Sequence, residues 1–291
     1  TVKGVEMMRP LKEVLEENVG KDFRKAQIKR DIAYINLQKE QGRLTSGEAD
    51  YWKEKIGNLQ EYQYGYHKGW SMILDTLTWP VLIMMLICIG IAPIFAGEYQ
   101  SKCDSLILCM KYGRSKLILA KIISGWLYAT GVYWGITLIY SSIYMIFLGT
   151  QGADLPIQLK YPAMSVGYNL TMGEAVGITL LLGYFFTLGI MGITLFMSAL
   201  LKNTYAVIIV AFLLIIIPTF LSLDTGGYVW SHVLSLLPPK IADFSFQSYT
   251  AYSIGNIVLS WPVMAILVNA IVAVLCSVLG YIIFRKHQVN K

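Results

Sequence analysis

The chain has 291 residues, of which 55% are hydrophobic and only 14% are charged, and its formal net charge is +6. This composition excludes an ordinary soluble domain and indicates a membrane protein with several crossings. Beyond residue 75 the basic residues adjoin apolar stretches, where they set orientation, so the positive charge does not favour nucleic acid as a partner.

Residues 1–75 hold 13 of the 24 basic and 12 of the 18 acidic residues, and we interpret them as a separate helical domain. Apolar residues recur at helical spacing in two segments, which predicts two helices packed as an antiparallel hairpin. The first stripe is Phe23, Ile28, Ile32 and Ile35, and the second is Trp52, Ile56 and Leu59. Thr45 and Glu48 form a capping-box pattern for the second helix. The charged remainder is either a solvated face or a substrate-binding surface.

Residues 76–291 form the predicted membrane domain, with five uncharged stretches that can each supply a crossing of about 20 residues. These lie within 76–97, 122–153, 175–201, 203–223 and 263–284. Pro93 is expected to kink the first crossing. The region before the last crossing, rich in proline and aromatic residues, is predicted to be a surface or re-entrant helix pair, or else a loop.

The basic stretch 97–121 separates the first two crossings. On a helix, its apolar residues fall on one side and its polar residues largely on the other, which predicts an amphipathic helix over 98–113. Such a helix either docks a partner protein or rests on the lipid headgroups.

The distribution of Lys and Arg predicts the orientation, because basic residues near crossings stay in the cytoplasm. Nine of them adjoin 97–121, 202–203 and the C-terminus, and two lie in the short loops on the other side. We therefore expect a multi-pass protein of the cell membrane with residues 1–75 outside and the C-terminus inside. An outer hairpin that begins at Thr1 also predicts a preceding crossing, which makes six in the intact protein.

Sequence motifs for catalysis are missing. The chain has no GxxxxGK[ST] phosphate loop, no HExxH and no GxSxG, so we expect neither an enzyme nor a metal site. The predicted crossings carry no charged residue in their interiors, and coupling to an ion gradient usually requires one. An energy source outside this chain is therefore expected.

The residues around the basic stretch resemble those of the membrane permeases of ABC-2 type exporters. The likeness consists of Glu98 after a crossing, a short amphipathic segment at 101–110, the motif Gly113-Arg114-Ser115-Lys116, and Lys121 opening the next crossing. It implies an all-α polytopic membrane protein with a type V exporter-like fold, including two half-helices outside before the last crossing. It also implies a dimer with a second permease copy or homologue, and cytoplasmic ABC ATPase subunits that bind ATP-Mg, while this chain holds no cofactor.

The resemblance further implies export of a hydrophobic or amphipathic substrate such as a peptide, drug or lipid-linked compound. The residues expected to couple to the ATPase are Glu98, Tyr99, Leu106, Ile107, Met110, Arg114, Lys116, Lys202 and Asn203. Glu98 and Arg114 would fix the two ends of the segment through ion pairs. The alternative function is a membrane sensor or accessory subunit whose outer hairpin binds a ligand. An ion channel would need a polar stripe along several crossings, which the sequence does not show.

Overall fold

The computed structural model describes residues 23–57, 65–76, 79–161, 166–221, 227–255 and 257–287. These residues are mostly helical, in agreement with the predicted fold class. The helices are α1 (Phe23–Glu40), α2 (Ser46–Gly57), α3 (Lys68–Asp75), α4 (Trp79–Ile91), α5 (Pro93–Gln100), α6 (Asp104–Cys109), α7 (Lys116–Leu148), α8 (Met172–Leu200), α9 (Thr204–Phe220), α10 (Tyr228–Ser235) and α11 (Trp261–Lys286). Two short 3-10 turns cover Ile157–Lys160 and Pro238–Asp243, and two strands are β1 (Ala251–Ile254) and β2 (Ile257–Ser260).

Four helical segments in the described part of the chain are long and apolar enough to cross a membrane. They are Pro80–Gln100, which joins α4 and α5, then α7, α8 and α11. Helix α9 has 17 residues, about 25 Å at 1.5 Å per residue, so it is shorter than the roughly 30 Å hydrocarbon core. The structure thus supports four of the five predicted crossings by length, and leaves the fifth as a shorter apolar helix.

The first crossing is broken where Pro93 was expected to kink it. Helix α4 ends at Ile91 and α5 begins at Pro93, which has no N–H to donate. Ser198 of α8 compensates for the break, because its Oγ donates to the carbonyl of Ala92 at 2.7 Å and accepts the N–H groups of Phe95 and Ala96, each at 3.0 Å. A neighbouring helix therefore satisfies the backbone groups that the break frees, as a membrane interior requires.

Helix α8 is the centre of the bundle, and it packs most extensively against α11. A Cβ on Gly192 would lie 2.7 Å from the Cα of Ala273, and a Cβ on Gly189 would lie 2.5 Å from Oδ1 of Asn269. Small residues therefore allow the two backbones to approach closely. Asn269 is buried, and its Nδ2 donates to the carbonyls of Ala265 and Leu236, at 2.9 and 3.2 Å.

The hairpin of α1 and α2 lies at the opposite end from the basic stretch. The predicted capping box is confirmed, since the Thr45 N–H donates to Glu48 at 2.9 Å and the Glu48 N–H donates to Thr45 at 3.4 Å. Trp52 is fully buried and makes edge-to-face contacts with Tyr168 and Tyr249, at ring-centroid distances of 5.0 and 5.3 Å. The hairpin therefore shares its core with distant parts of the chain. Residues 1–22 and Leu59, which the predicted domain also includes, lie outside the described residues.

The predicted half-helix pair before the last crossing is wrong in its second half. Helix α10 is present, but the chain then forms an antiparallel hairpin of β1 and β2, with Ala251 opposite Ser260 and Ile254 opposite Ile257. Gly255 turns the chain with φ +61, a conformation that glycine adopts without a steric cost. Two short apolar runs separated by the dipeptide Gly-Asn are a hairpin signal that the sequence carries.

Candidate functional site

The basic stretch, the α8–α9 junction and the end of α11 meet at one end of the bundle, which we call the basic end. Gln100 Nε2 donates to Asn203 Oδ1 at 3.1 Å, and Nε2 of His287 lies 3.3 Å from Oδ2 of Asp104. Segments predicted to share one side of the membrane are therefore in direct contact.

Glu98 and Lys121 form the ion pair that links α5 to α7. Lys121 Nζ donates to Oε1 of Glu98 and, at 3.0 Å, to the carbonyl of Ile94. The side chains are only 14% and 24% exposed, so water screens this pair less than it would a surface pair. The sequence predicted one ion pair at Glu98 and another at Arg114, without naming their partners. The partner of Glu98 is Lys121.

Tyr99 points inward rather than toward a docking surface. Its hydroxyl donates to the carbonyl of Ala199 at 3.1 Å. Its ring packs against Phe284 and His287, with centroids 5.5 and 4.8 Å away. Tyr99 therefore joins three elements at the basic end, and a contact with a partner is not needed to explain it.

The amphipathic helix predicted over 98–113 is shorter than expected. Helix α5 ends in a Schellman motif, in which the N–H groups of Cys103 and Lys102 donate to the carbonyls of Glu98 and Tyr99, at 3.0 and 3.2 Å. This motif places Lys102 in the left-handed region with φ 55. Only Asp104–Cys109 then continues as helix α6. Residues 101–115 thus form a bent connection, which we call the elbow.

The elbow exposes apolar side chains. Leu106 is 71% exposed, Met110 51% and Tyr112 50%, and we call these three residues the elbow face. Ile107, which was predicted to join them, is only partly exposed. Exposed apolar residues clustered in this way are typical of a surface that meets a partner or a lipid headgroup region.

The remaining predicted residues divide between exposed and structural positions. Lys116 is exposed at the start of α7, with its Nζ 4.8 Å from the ring centroid of Tyr112. Arg114 and Lys202 are also exposed. Asn203 has a structural role, because its Oδ1 accepts the N–H of Tyr205 at 2.9 Å and caps α9.

Sequence reasoning missed His287 and Ser198. Each acts through contacts with residues more than 90 positions away, such as His287 with Asp104 and Ser198 with Ala92. In the sequence, Ser198 looks like any small polar residue within an apolar stretch, and His287 looks like any residue of a basic tail. Without knowledge of the fold, no sequence signal distinguishes them.

A second feature is a polar cavity of about 430 Å³ between the α1–α2 connection and α10, at the end of the bundle opposite the basic end. Gln38, Arg43, Ser231 and His232 are among its lining residues. Tyr228 also lines it, and its hydroxyl donates to Glu48 at 2.7 Å. Burial, followed by the bond to Glu48, raises the pKa of Tyr228 to about 12, so this contact persists at neutral pH.

The contacts at the basic end are structural ones between helices. Within the described ranges, no group of three His, Cys, Asp or Glu side chains is placed to hold a metal ion. Three contacts hold the end of α5, to which the elbow is joined: Glu98 pairs with Lys121 of α7, Tyr99 bonds to Ala199 of α8, and Gln100 bonds to Asn203, the N-cap of α9. The elbow itself contacts the end of α11 through Asp104 and His287.

Comparison with known proteins identifies a family. The family model described as "Protein of unknown function (DUF2705)" matches residues 51–289, which include the elbow and every predicted crossing. No curated protein and no solved structure matches the chain.

Proposed function

We propose that this chain, which belongs to the DUF2705 family, is the membrane permease subunit of an ATP-driven exporter of the ABC-2 type. In this proposal separate cytoplasmic subunits bind and hydrolyse ATP-Mg and dock on the elbow. A second copy or homologue of the chain completes the translocation path.

The observation that carries the proposal is the attachment of an exposed apolar surface to the membrane helices. The elbow face projects from the basic end, while Glu98 pairs with Lys121 of α7 and Asp104 contacts His287 beyond α11. A force applied to the elbow therefore reaches α7 through the chain itself and through the Glu98–Lys121 pair at the end of α5, and it reaches the end of α11 through Asp104 and His287. Coupling by displacement of packed helices requires such a stiff connection.

The charge distribution supports the proposed orientation. The stretches 97–121, 202–203 and 285–287 contain eight Lys and Arg residues, which favours the cytoplasm for the basic end. In this orientation the α1–α2 hairpin is extracellular. Helix α9 is the fifth crossing, tilted little or seated where the bilayer is thinned.

The spanning helices support an external energy source and an apolar cargo. Their charged residues, such as Glu98, Lys121, Glu174 and Arg285, lie near the helix ends rather than in the interiors. Proton or cation coupling generally uses ionisable groups within the membrane. An apolar path suits a hydrophobic or amphipathic substrate, so ATP hydrolysis by a partner is the energy source that we propose.

The proposal is tested by ATP hydrolysis that copurifies with the chain from membranes. Leu106→Gln with Met110→Gln makes the elbow face polar without burying a charge, and we expect it to remove the copurifying activity. The matched control is Ile254→Gln with Ile257→Gln, two exposed apolar residues at the outer end, and it should retain the activity. Equal activity in both variants, or none with the wild-type chain, contradicts the proposal.

The orientation is tested with native cysteines. Cys103 and Cys109 are exposed in the elbow, whereas Cys88 is buried. A membrane-impermeant maleimide should label the elbow in inside-out vesicles and leave it unlabelled in intact cells, with Cys103→Ser plus Cys109→Ser as the control. Labelling from the outside contradicts the orientation.

The outer cavity favours a second candidate function, that of a sensor or accessory subunit whose hairpin binds a ligand. The cavity is lined by hydrogen-bonding side chains and formed jointly by the hairpin and α10. A sensor needs no ATPase on the elbow. Retained signalling by Leu106→Gln with Met110→Gln, together with its loss in a variant that fills the cavity such as Ser231→Trp, would favour this function over export.

A further inference from the structure

A basic depression lies at the basic end, between the start of α7 and the end of α11. It has a volume of about 700 Å³ and is lined by Arg114, Ser115, Arg285 and Lys286. All four side chains are exposed. Three cations therefore line one open concavity at the level where the spanning helices end.

The acidic residues of this end do not line the depression. In 97–121, 202–203 and 285–287 the acids are Glu98 and Asp104. Glu98 is paired with Lys121, and Asp104 lies against His287. Three of the four residues that line the depression are positively charged and the fourth is a serine, so the depression attracts an anion.

An apolar groove of about 420 Å³ continues from the depression along α7 and α11. Ser115 lines both spaces. Ile122 and Ser277 are buried and form the floor of the groove, while Leu119 and Val278 are about half exposed and form its walls. The groove lies between the first turns of α7 and the last turns of α11, two helices that are long and apolar enough to cross a membrane.

The charged and apolar parts of this surface are in contact. The Arg285 guanidinium carbon lies 6.0 Å from the ring centroid of Tyr281, which also lines the groove. Tyr281 thus lies beside a cation at one edge and beside the apolar walls at the other. An occupant that fits both parts has an anionic head directly attached to an apolar chain.

We propose that the depression and the groove together bind one anionic phospholipid. Its phosphate contacts Arg114, Arg285 and Lys286, and the upper part of an acyl chain lies in the groove between Leu119 and Val278. Basic pockets between spanning helices recognise anionic headgroups in this way. The site does not depend on ATPase docking, and a bound lipid there would brace α7 against α11 beside the elbow.

Free inorganic phosphate is the alternative ligand, because it carries the same anionic group as the phospholipid head. It would use the basic depression alone and would gain nothing from the groove. The apolar groove is therefore the feature that favours a phospholipid over free phosphate as the ligand.

The test uses the purified chain in detergent, without any ATPase, so its outcome is separate from that of the proposed function. Native mass spectrometry measures the binding of phosphatidylglycerol and of phosphatidylcholine with the same acyl chains. We expect preferential binding of phosphatidylglycerol. Each cation near a headgroup contributes about fivefold in affinity, so Arg285→Gln with Lys286→Gln should lower it by about 25-fold.

Two variants complete the test. Lys102→Gln with Lys202→Gln removes the same charge from the same end but not from the depression, and it should leave phosphatidylglycerol binding within about twofold of wild type. Val278→Trp fills the groove and keeps every cation, and it should weaken phosphatidylglycerol binding while leaving phosphate binding unchanged. Melting temperatures near wild type establish that the variants are folded.

Three results overturn the proposal. Equal binding of the two lipids excludes recognition of the anionic head. An equal loss of affinity for phosphatidylglycerol in Arg285→Gln with Lys286→Gln and in Lys102→Gln with Lys202→Gln would show that binding depends only on nonspecific surface charge. Full phosphatidylglycerol binding by Val278→Trp, with displacement by excess inorganic phosphate, identifies an anion site without a lipid groove.

Discussion

Replacing Ser198 by Ala tests how the break in the first crossing is stabilised. The hydroxyl makes three hydrogen bonds between helices, to the carbonyl of Ala92 and from the N–H groups of Phe95 and Ala96, and the side chain is fully buried. Such bonds in membrane proteins contribute about 0.6 kcal/mol on average and about 1.7 kcal/mol at most. Losing three should lower the free energy of unfolding by about 2 to 5 kcal/mol.

Ser277→Ala is the matched control, because Ser277 is also a buried serine in a spanning helix. Its Oγ makes one bond between helices, accepted from Trp126 Nε1 at 3.1 Å, and a second bond within α11 to the carbonyl of Ala273. The expected cost is about 0.6 to 1.7 kcal/mol. The difference between the two variants therefore measures how much the hydrogen bonds at the helix break contribute, beyond the loss of a buried serine hydroxyl in general.

The assay is thermal unfolding in detergent, followed by a dye that reacts with thiols as they become accessible. A background with Cys103→Ser, Cys109→Ser and Cys276→Ala removes the two exposed cysteines and the partly buried one, so that the signal comes from buried Cys88. At about 2–4 °C per kcal/mol, Ser198→Ala should melt at least 4 °C lower, and clearly below Ser277→Ala. Equal melting temperatures for the two variants would refute the reasoning.

Three further predictions concern the elbow, the helix packing and the hairpin. Glu98→Gln leaves Lys121 without its carboxylate and should lower the free energy of unfolding by about 1–3 kcal/mol, between the values for exposed and buried pairs. A double-mutant cycle with Lys121→Gln should give a favourable coupling energy, and a coupling energy of zero contradicts the ion pair. Gly192→Leu should lower the free energy of unfolding by about 1–3 kcal/mol or more, measured by thermal unfolding, because its Cβ would collide with α11. Gly177→Leu is the control and should cause no such loss, because a Cβ at Gly177 has no neighbour within 4 Å. Trp52→Ala removes a fully buried side chain and should expose the hairpin to limited proteolysis while the spanning helices remain resistant; unchanged proteolysis refutes the shared core.

The sequence predicted the long apolar helices, because their structure depends on local patterns. Uncharged stretches of 20 residues or more determined the spanning helices, and a proline near one end determined the break before Pro93. The capping box at Thr45 and Glu48 was also predictable, because it depends on residues three positions apart. Only the length of α9 departed from the expected crossings among the described residues.

The elbow could not be predicted in detail. Apolar spacing over 98–113 is compatible with one continuous helix, but the Schellman motif at the end of α5 turns Lys102 into the left-handed region. That region favours glycine, which the sequence does not place there. Hydrogen bonding by the backbone thus outweighed the local signal, and the predicted single helix is divided into the end of α5, the short helix α6 and the turns after it.

Contacts between distant residues were equally hidden. Trp52 contacts Tyr168 and Tyr249 across separations of more than 100 residues, so the hairpin packs against distant parts of the chain, which its own sequence did not reveal. For the same reason, Lys121 was recognised as the start of a crossing but not as the partner of Glu98. Periodicity identifies a buried face but does not identify what covers it.

The most direct test of the proposed function is photocross-linking in cells from position 106. Leu106 is replaced by p-benzoylphenylalanine, and in the control the same replacement is made at Ile257, which is also exposed but lies in β2, at the opposite end of the bundle. Our account predicts a cross-link from position 106 to a protein that carries a GxxxxGK[ST] phosphate loop and hydrolyses ATP, with no such product from position 257. Lipid adducts alone at position 106 would contradict it, because the elbow would then rest on the headgroups and transmit no work from an ATPase.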